Sequence, residues 1–330
     1  MTNKESVVIS TRIRLARNYK KFPFLPKISD KQATEVIETA KGCMLTASSA
    51  AEEEFRFVDR EGLKREGGSL LEKHLLSPNM LNLEHPCGVI VSRDETISVM
   101  LNEEDHIRIQ VIEPGYDLRK AYMQADKLDN LLEEGAEYAF HEHYGYLTSC
   151  PTNIGTGLRA SVMLHLPAIV MANRMNELIS TVSKFGITVR GIYGEGSEAL
   201  GNIFQFSNQV TLGLSEKETI DKLENVVNQI IDQEISFRQK LKNDNLIDKI
   251  SRSYGILKYA YLISYKEFMN LWSYVRLGVS MGILPDMSWK TLNDLLYRCG
   301  PYTILYSSKE NMDAARRDKA RAEILKKTLQ

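Results

Sequence analysis

The chain has 330 residues, 43% hydrophobic and 26% charged, the proportions of an ordinary globular protein long enough for at least one sizeable core. Its 42 basic and 43 acidic residues leave a formal charge of -1, a balance that speaks against a general nucleic-acid binder and against a polybasic membrane anchor. No run approaches the roughly 18 apolar residues of a membrane span, and the opening MTNKESVVIS lacks the apolar stretch of a secretory signal, so a cytoplasmic protein is expected. The four cysteines, Cys43, Cys87, Cys150 and Cys299, are scattered without a C-x-x-C pair and indicate neither a zinc site nor a disulfide framework.

In chain order, strands are predicted at 6–14, 54–58, 87–93, 96–102, 105–112, 158–166, 186–193 and 203–213, and helices at 30–43, 117–140 and 167–184. The short breaks in CGVIVSRDETISVMLNEEDHIRIQVI suggest antiparallel hairpins, so the expected class is α+β, a largely antiparallel sheet flanked by helices. At Ser215 the pattern changes. Ser215 and Glu218 form an S-x-x-E capping box, and Ile220, Leu223, Val227, Ile230 and Ile231 then recur at helical spacing. Beyond it almost no β-pattern remains, and both tryptophans, Trp272 and Trp289, fall there. Two domains are therefore expected, 1–237 and an all-helical 238–330, with the boundary near QKLKNDN.

The arginines carry the functional signal. Strand alternation in ISTRIRLAR puts Ser10, Arg12 and Arg14 on one face and Ile9, Ile13 and Leu15 on the other. The same logic groups Asn102, Glu104, His106 and Arg108 in NEEDHIRIQV, and Arg159, Ser161 and Met163 in LRASVMLHLP, while ITVRGIYGEG adds Arg190 before a glycine-flanked loop carrying Glu195. A half-solvated sheet face also exposes basic residues, but it normally mixes Lys with Thr, Glu and Gln. Here the basic positions are all Arg, whose planar fork binds phosphate oxygens bidentately, so the cluster reads as a polyphosphate cradle. No Walker-type loop, dinucleotide fingerprint or H-R-D and D-F-G pair is present, so side chains must hold any nucleotide. Glu104 and Glu195 are candidate acids, although a salt bridge would account for the first and a solvated loop tip for the second. Cys150, in the polar loop TSCPTNIGTG, is either a small buried apolar residue or a thiolate favoured by nearby arginines.

Taken together, STRIR, NEEDHIR, CPTNIGTG, LRAS and RGIYGEGSE resemble the phosphagen kinases, the family of creatine and arginine kinases, over roughly residues 7–237. The resemblance implies ATP binding by Ser10, Thr11, Arg12, Ile13 and Arg14, by His74 and Arg108, by Arg159, Ala160, Ser161, Val162 and Met163, and by Arg190, Gly191, Ile192, Tyr193, Gly194 and Glu195. It also implies a guanidino substrate held by Glu104, Glu195 and Cys150, and magnesium carried in with the nucleotide. Only nine residues precede Ser10, where the metabolic members carry a helical domain; this departure, with the C-terminal helical region, is similar to the bacterial protein-arginine kinases. That likeness implies protein substrates with exposed arginine, homodimerisation through the helical region, and an activator protein, a heat-shock repressor and a Clp protease complex as partners. It further implies regulatory phosphoarginine binding by RDKARA: Arg317, Asp318, Lys319, Ala320, Arg321 and Ala322. A kinase of free arginine or another small guanidino compound, and a phosphoarginine-binding adaptor without catalysis, are the competing expectations.

Overall fold

The computed structural model describes residues 4–46, 55–191 and 199–329. The chain begins with β1 (Val8–Arg17), α1 (Asp30–Thr46), β2 (Phe55–Asp59) and α2 (Arg60–Glu72). Strands β3 (Gly88–Ser92), β4 (Ile97–Leu101) and β5 (Ile107–Pro114) extend β2 as the expected meander. Next come α3 (Leu118–Gly135), a small hairpin of β6 (Phe140–His141) and β7 (Gly145–Tyr146), and β8 (Leu158–His165). Helices α4 (Pro167–Met171) and α5 (Met175–Ser183) lead to β9 (Ile187–Gly191) and β10 (Ile203–Asn208). Among the described residues the large sheet has eight strands, all pairs antiparallel, in the order β2-β3-β4-β5-β1-β8-β10-β9. The α+β class expected from the sequence is the one observed.

The capping box forms as read: Ser215 Oγ accepts from the Glu218 amide while the Glu218 carboxylate accepts from the Ser215 amide, starting α6 (Glu216–Lys240). Five further helices follow among the described residues: α7 (Asp244–Tyr259), α8 (Tyr265–Ser280), α9 (Trp289–Arg298), α10 (Pro301–Ser308) and α11 (Ala314–Thr328). None of the described helices is long and apolar enough to cross a membrane.

Two local expectations are corrected, and one helix carried no reading from the sequence. The segment 60–72 is helical although Gly67 and Gly68 each disfavour helix by about 1 kcal/mol; Asp59 caps the Gly62 amide, and Leu81 occupies the space a Cβ on Gly67 would need. The predicted helix 167–184 breaks into α4 and α5 around Asn173, which takes a left-handed φ of 56°. Ile9 does not join Ile13 and Leu15, because a β-bulge between Val8 and Ser10 shifts the register and turns Ile9 into a different core.

The two faces of the sheet are covered unequally. Ile13, Leu15, Ile109, Leu158 and Val162 pack beneath α1, α3, α4, α5 and α6 in one continuous core, where each buried Val, Leu or Ile contributes about 1.5–3 kcal/mol. On the opposite face, α2 and the turn Pro78–Asn82 roof the β2–β4 end, with Leu70, Leu75 and Met80 on Val89, Val91 and Met100. Helices α8, α9 and α11 roof the end where β1 begins, packing Phe268, Trp272 and Leu292 against Ile9, Met163 and Ile203. The helical region thus shares its core with the sheet. Beside the roof formed by α2 and the Pro78–Asn82 turn, a cavity opens over the sheet.

Candidate functional site

Side chains of registered antiparallel partners stand on one face. Arg14 lies opposite Arg159, Arg12 opposite Ser161, Arg108 opposite Ala16, and Arg190 opposite Gln205, so four strands, β5, β1, β8 and β9, deliver five arginines to the same surface. Arg12, Arg14, Arg108, Arg159 and Arg190 all line the cavity, whose volume is ≈ 560 Å³. Gln205 of the intervening β10 accepts from Arg12 Nη2 at 2.6 Å and fixes its direction. The sequence groups these arginines strand by strand; the register makes them one belt.

Burial, then Arg159, Arg108 and Arg190, push the Arg12 guanidinium down to about 10, with Tyr297 opposing. Burial followed by Arg12, Arg108 and Arg159 holds Arg14 well below its usual value. The depressed values report cations crowded in a buried space, a concentration of positive charge that an anionic ligand would relieve. His74 enters from the turn after α2 with a left-handed φ of 60°. Burial and Arg12 push its imidazole down to about 3, leaving it neutral at physiological pH.

At one end of the belt stand carboxylates. Arg108 donates to Glu103 at 2.7 Å and to Glu104 at 2.6 Å. Glu103 is buried and also accepts from Ser77 Oγ at 2.7 Å and from the Glu104 amide at 3.0 Å, whereas the Glu104 side chain is 37% exposed and lines the cavity. The expected strand face through Asn102, Glu104, His106 and Arg108 is corrected here: residues 102–106 form a loop, and β5 starts at Ile107. Asn102, at φ 57°, donates to the carbonyls of Ala33 and Pro86, and His106 is bonded to the Tyr19 amide and the Pro23 carbonyl, so neither faces the belt. A polar knot, not strand pleat, aims Glu104.

Asp105 ties that loop to the next motif. Its Oδ1 accepts from Asn18 Nδ2 at 2.7 Å and from the Ser149 amide at 2.6 Å, one residue before Cys150. Cys150 Sγ lies 3.0 Å from Thr152 Oγ1, and Thr152 and Asn153, rather than Cys150 itself, line the cavity. Gly155 makes this loop possible: at φ 110° it lies against the Thr211 carbonyl where a Cβ would collide.

The remaining expectations divide by side-chain direction. Ser10, Ser161 and Met163 share the belt face and line a small neck beside His74. Thr11 donates to the Gly115 carbonyl, and Ile13, Ala160 and Val162 are core, so these four are corrected to strand neighbours that offer only backbone. Gly191 ends β9, and Ile192, Tyr193, Gly194 and Glu195 lie outside the described residues. Glu103, Asp105, Ser77 and Gln205 were not singled out by the sequence reading; the acidic run NEED was the signal for the first two, and nothing local marked the others.

The 317–322 segment lies within α11, three residues after its first turn begins at Ala314, and is far from uniform in exposure. Arg321 is 1% exposed, donating to the carbonyls of Cys299 and Ile263 at 2.7 Å each and to Asp318 at 2.6 Å. Ala322 is core, while Arg317 and Asp318 are half-buried and Lys319 is exposed over the Tyr261 ring. Among the described residues no group of three or more His, Cys, Asp or Glu could hold a metal. The cavity's carboxylates, Glu103 and Glu104, are engaged by Arg108, so the side chains present do not build a magnesium cage.

A family model of the ATP:guanido phosphotransferase C-terminal catalytic domain matches residues 35–237, and one of the protein-arginine kinase McsB C-terminal domain matches residues 243–330. The chain is 46% identical over 329 residues to a protein-arginine kinase of Clostridium kluyveri, covering 98% of this chain and 94% of that protein. It is 43% identical over 327 residues to a protein-arginine kinase of Brevibacillus brevis, covering 98% and 92%. Among solved structures, lombricine kinase matches with a TM-score of 0.64 at 24% identity, over 73% of this chain and 70% of that one. A duplicated taurocyamine kinase from Schistosoma mansoni, with transition-state-analogue components bound, matches at 0.62 and 23% identity, over 85% and 47%. These two likenesses speak to fold. By the matched models and the near full-length relatives, the chain belongs to the ATP:guanido phosphotransferase family, on its protein-arginine kinase branch.

Proposed function

We propose that the protein transfers the γ-phosphoryl group of ATP to arginine side chains of other proteins. The observation that carries this reading is the belt of five arginines ending at Glu104. In it Arg12, Arg14, Arg159 and Arg190 hold the triphosphate by bidentate contacts, and Arg108 both touches phosphate and aims Glu104. Magnesium would arrive with the nucleotide and supply charge neutralisation there, and no residue of this chain is assigned to hold it.

A guanidinium is a poor nucleophile because its lone pairs are delocalised and it stays protonated at neutral pH. Glu104 clamps the incoming group, and Glu195 is assigned as the second acid by the family resemblance. As the nitrogen–phosphorus bond forms and the bond to the ADP oxygen breaks, one carboxylate takes the proton the nitrogen loses. Cys150, held beside Thr152, tunes placement at the acceptor end and is not a covalent nucleophile.

Three finer assignments belong to the same reading and rest on the family likeness. The chain divides into a catalytic part, 1–237, and a helical part, 238–330, that mediates homodimerisation. Phosphoarginine recognition by 317–322 falls to Arg317, Asp318, Lys319 and Ala320, since Arg321 and Ala322 are buried. A cytoplasmic enzyme marking clients or a heat-shock repressor, with an activator protein and a Clp protease complex as partners, completes it.

Mass spectrometry after incubation with ATP and an unfolded acceptor protein, at neutral to alkaline pH to preserve the phosphoramidate, is expected to find phosphate on arginine. Phosphate on free arginine alone would assign the chain to small guanidino compounds. Glu104→Ala is expected to lower kcat by a factor of about 10² or more while ADP binding persists; wild-type turnover in that variant would remove Glu104 from the mechanism.

A further inference from the structure

The arginine belt has two ends of opposite chemistry. At one end are the carboxylates Glu103 and Glu104 with the polar Thr152–Asn153 turn. At the other, Arg12 and His74 border a neck of only ≈ 10 Å³ shared with Ser10, Ile112 and Met163. Beyond it a second cavity of ≈ 630 Å³ is lined by Ser10 and Ile112 from the sheet and by Trp289, Asn293 and Tyr297 from α9. A triphosphate laid along the belt with its γ end toward Glu104 points its nucleoside at the His74 end, where Ile112, Met163, Trp289 and Tyr297 make the walls partly apolar. There the helical region meets the site.

Two contacts fasten the helical region to the turn that presents His74. Tyr297 packs edge to face on His74, with ring centroids 6.2 Å apart at 84°. Glu72, two residues earlier on the same turn, accepts from the amides of Tyr302 and Thr303 at 2.9 and 2.7 Å and from Thr303 Oγ1 at 2.8 Å. The α9–α10 corner therefore grips residues 72–74 on both sides. His74 is held in a left-handed conformation that a non-glycine residue rarely adopts unaided; Gln110 of β5 donates to its carbonyl at 2.6 Å, and the α9–α10 grip adds the ring contact that orients the imidazole.

We infer that Tyr297 is a nucleotide-positioning residue: through His74 it sets how the nucleoside end of ATP is seated, so that the helical region supplies one wall of the nucleotide site. The inference rests on the triphosphate reading of the arginine belt given above.

The test is steady-state kinetics of the full chain with ATP varied and an unfolded protein as acceptor, together with ADP titrations by calorimetry. Tyr297→Ala is expected to raise KM for ATP and weaken ADP binding about three- to tenfold, with kcat nearly unchanged, because edge-to-face packing of this kind is the interaction removed. Tyr297→Leu keeps bulk without the ring and is expected to show the same loss should the Ala variant not fold; Tyr297→Phe is expected to restore affinity. An unchanged KM in the Ala or Leu variant overturns the inference. So does a parallel fall of kcat, affinity and melting temperature that Phe does not rescue, since that marks a structural role alone. Arg159→Ala separates the two readings: if it binds ADP as the wild type does, the belt assignment fails, whereas loss of binding there with no effect at Tyr297 sinks only the present inference.

Discussion

Arg14 and Arg159 face each other directly across β1 and β8, with Arg12 and Arg108 nearby. Like charges at such positions oppose folding, by about 0.2–1 kcal/mol for a cross-strand pair. The belt is thus a place where stability is given up for binding. Arg14→Gln is expected to raise the melting temperature of the unliganded protein slightly while abolishing most of the thermal shift caused by ADP. A variant that melts lower and still responds fully to ADP contradicts the role given to Arg14.

The histidines add a pH dependence whose sign is fixed by burial. His74 is pushed down to about 3, and His165, fully buried beside Arg276 and Arg238, lies well below its ordinary value. In the unfolded chain both gain protons near pH 6.5, whereas in the folded chain both stay neutral, so stability is present above about pH 6.5 and is lost as pH falls toward the folded values. At pH 5 the His74 contribution alone amounts to about 2 kcal/mol. Denaturant unfolding at pH 7 and pH 5 checks this, and a His165→Gln variant is expected to show a shallower pH slope.

At the scale of elements, the site depends on two loops locked to each other. Asp105 is fully buried and spans the 102–106 loop and the Ser149–Cys150 segment. Asp105→Ala leaves the Ser149 amide and the Asn18 side chain without that acceptor, at a cost of about 1–3 kcal/mol, and frees Glu104 to wander. The expected result is a lower kcat with KM for ATP largely preserved, because Arg12, Arg14, Arg159 and Arg190 are placed by strand pairing, and only Arg108 is bonded to this loop. Equal loss of ATP binding would show that the loop supports the whole cavity. Period-2 alternation identified the arginine faces of β1 and β8 because strand pleat is local. The same rule failed over 102–106, where side-chain hydrogen bonds to Ala33, Pro86, Tyr19 and Pro23 dictate the backbone.

At the scale of the whole molecule, a buried charged seam joins the helical region to the sheet. Glu234 on α6 pairs with Arg238 at 2.8 Å, and Arg276 on α8 donates to the carbonyls of Glu5, Ser6 and Val8 just before the belt begins. All three side chains are nearly or fully buried. Glu234→Gln leaves two buried cations without their counter-charge and is expected to destabilise by about 3–5 kcal/mol. Because the core around Trp272 takes in Ile9, Met163 and Ile203, scanning calorimetry is expected to show one cooperative transition for sheet and helical region together. Two well-separated transitions would mean that the shared core does not couple them.

Alternation of strand residues, the capping box at Ser215 and the all-arginine character of the motifs are properties of neighbouring residues, so the amino-acid order alone determined the α+β class, the start of α6 and the identity of most belt residues. Which arginines meet depended on strand order and register, which pair Arg14 with Arg159 from distant parts of the chain and are set by long-range packing. The loop that aims Glu104 and the meeting of Tyr297 with His74 likewise arise from contacts between residues remote in sequence. Short-range chemistry chose the parts, and the tertiary fold decided which of them face one another.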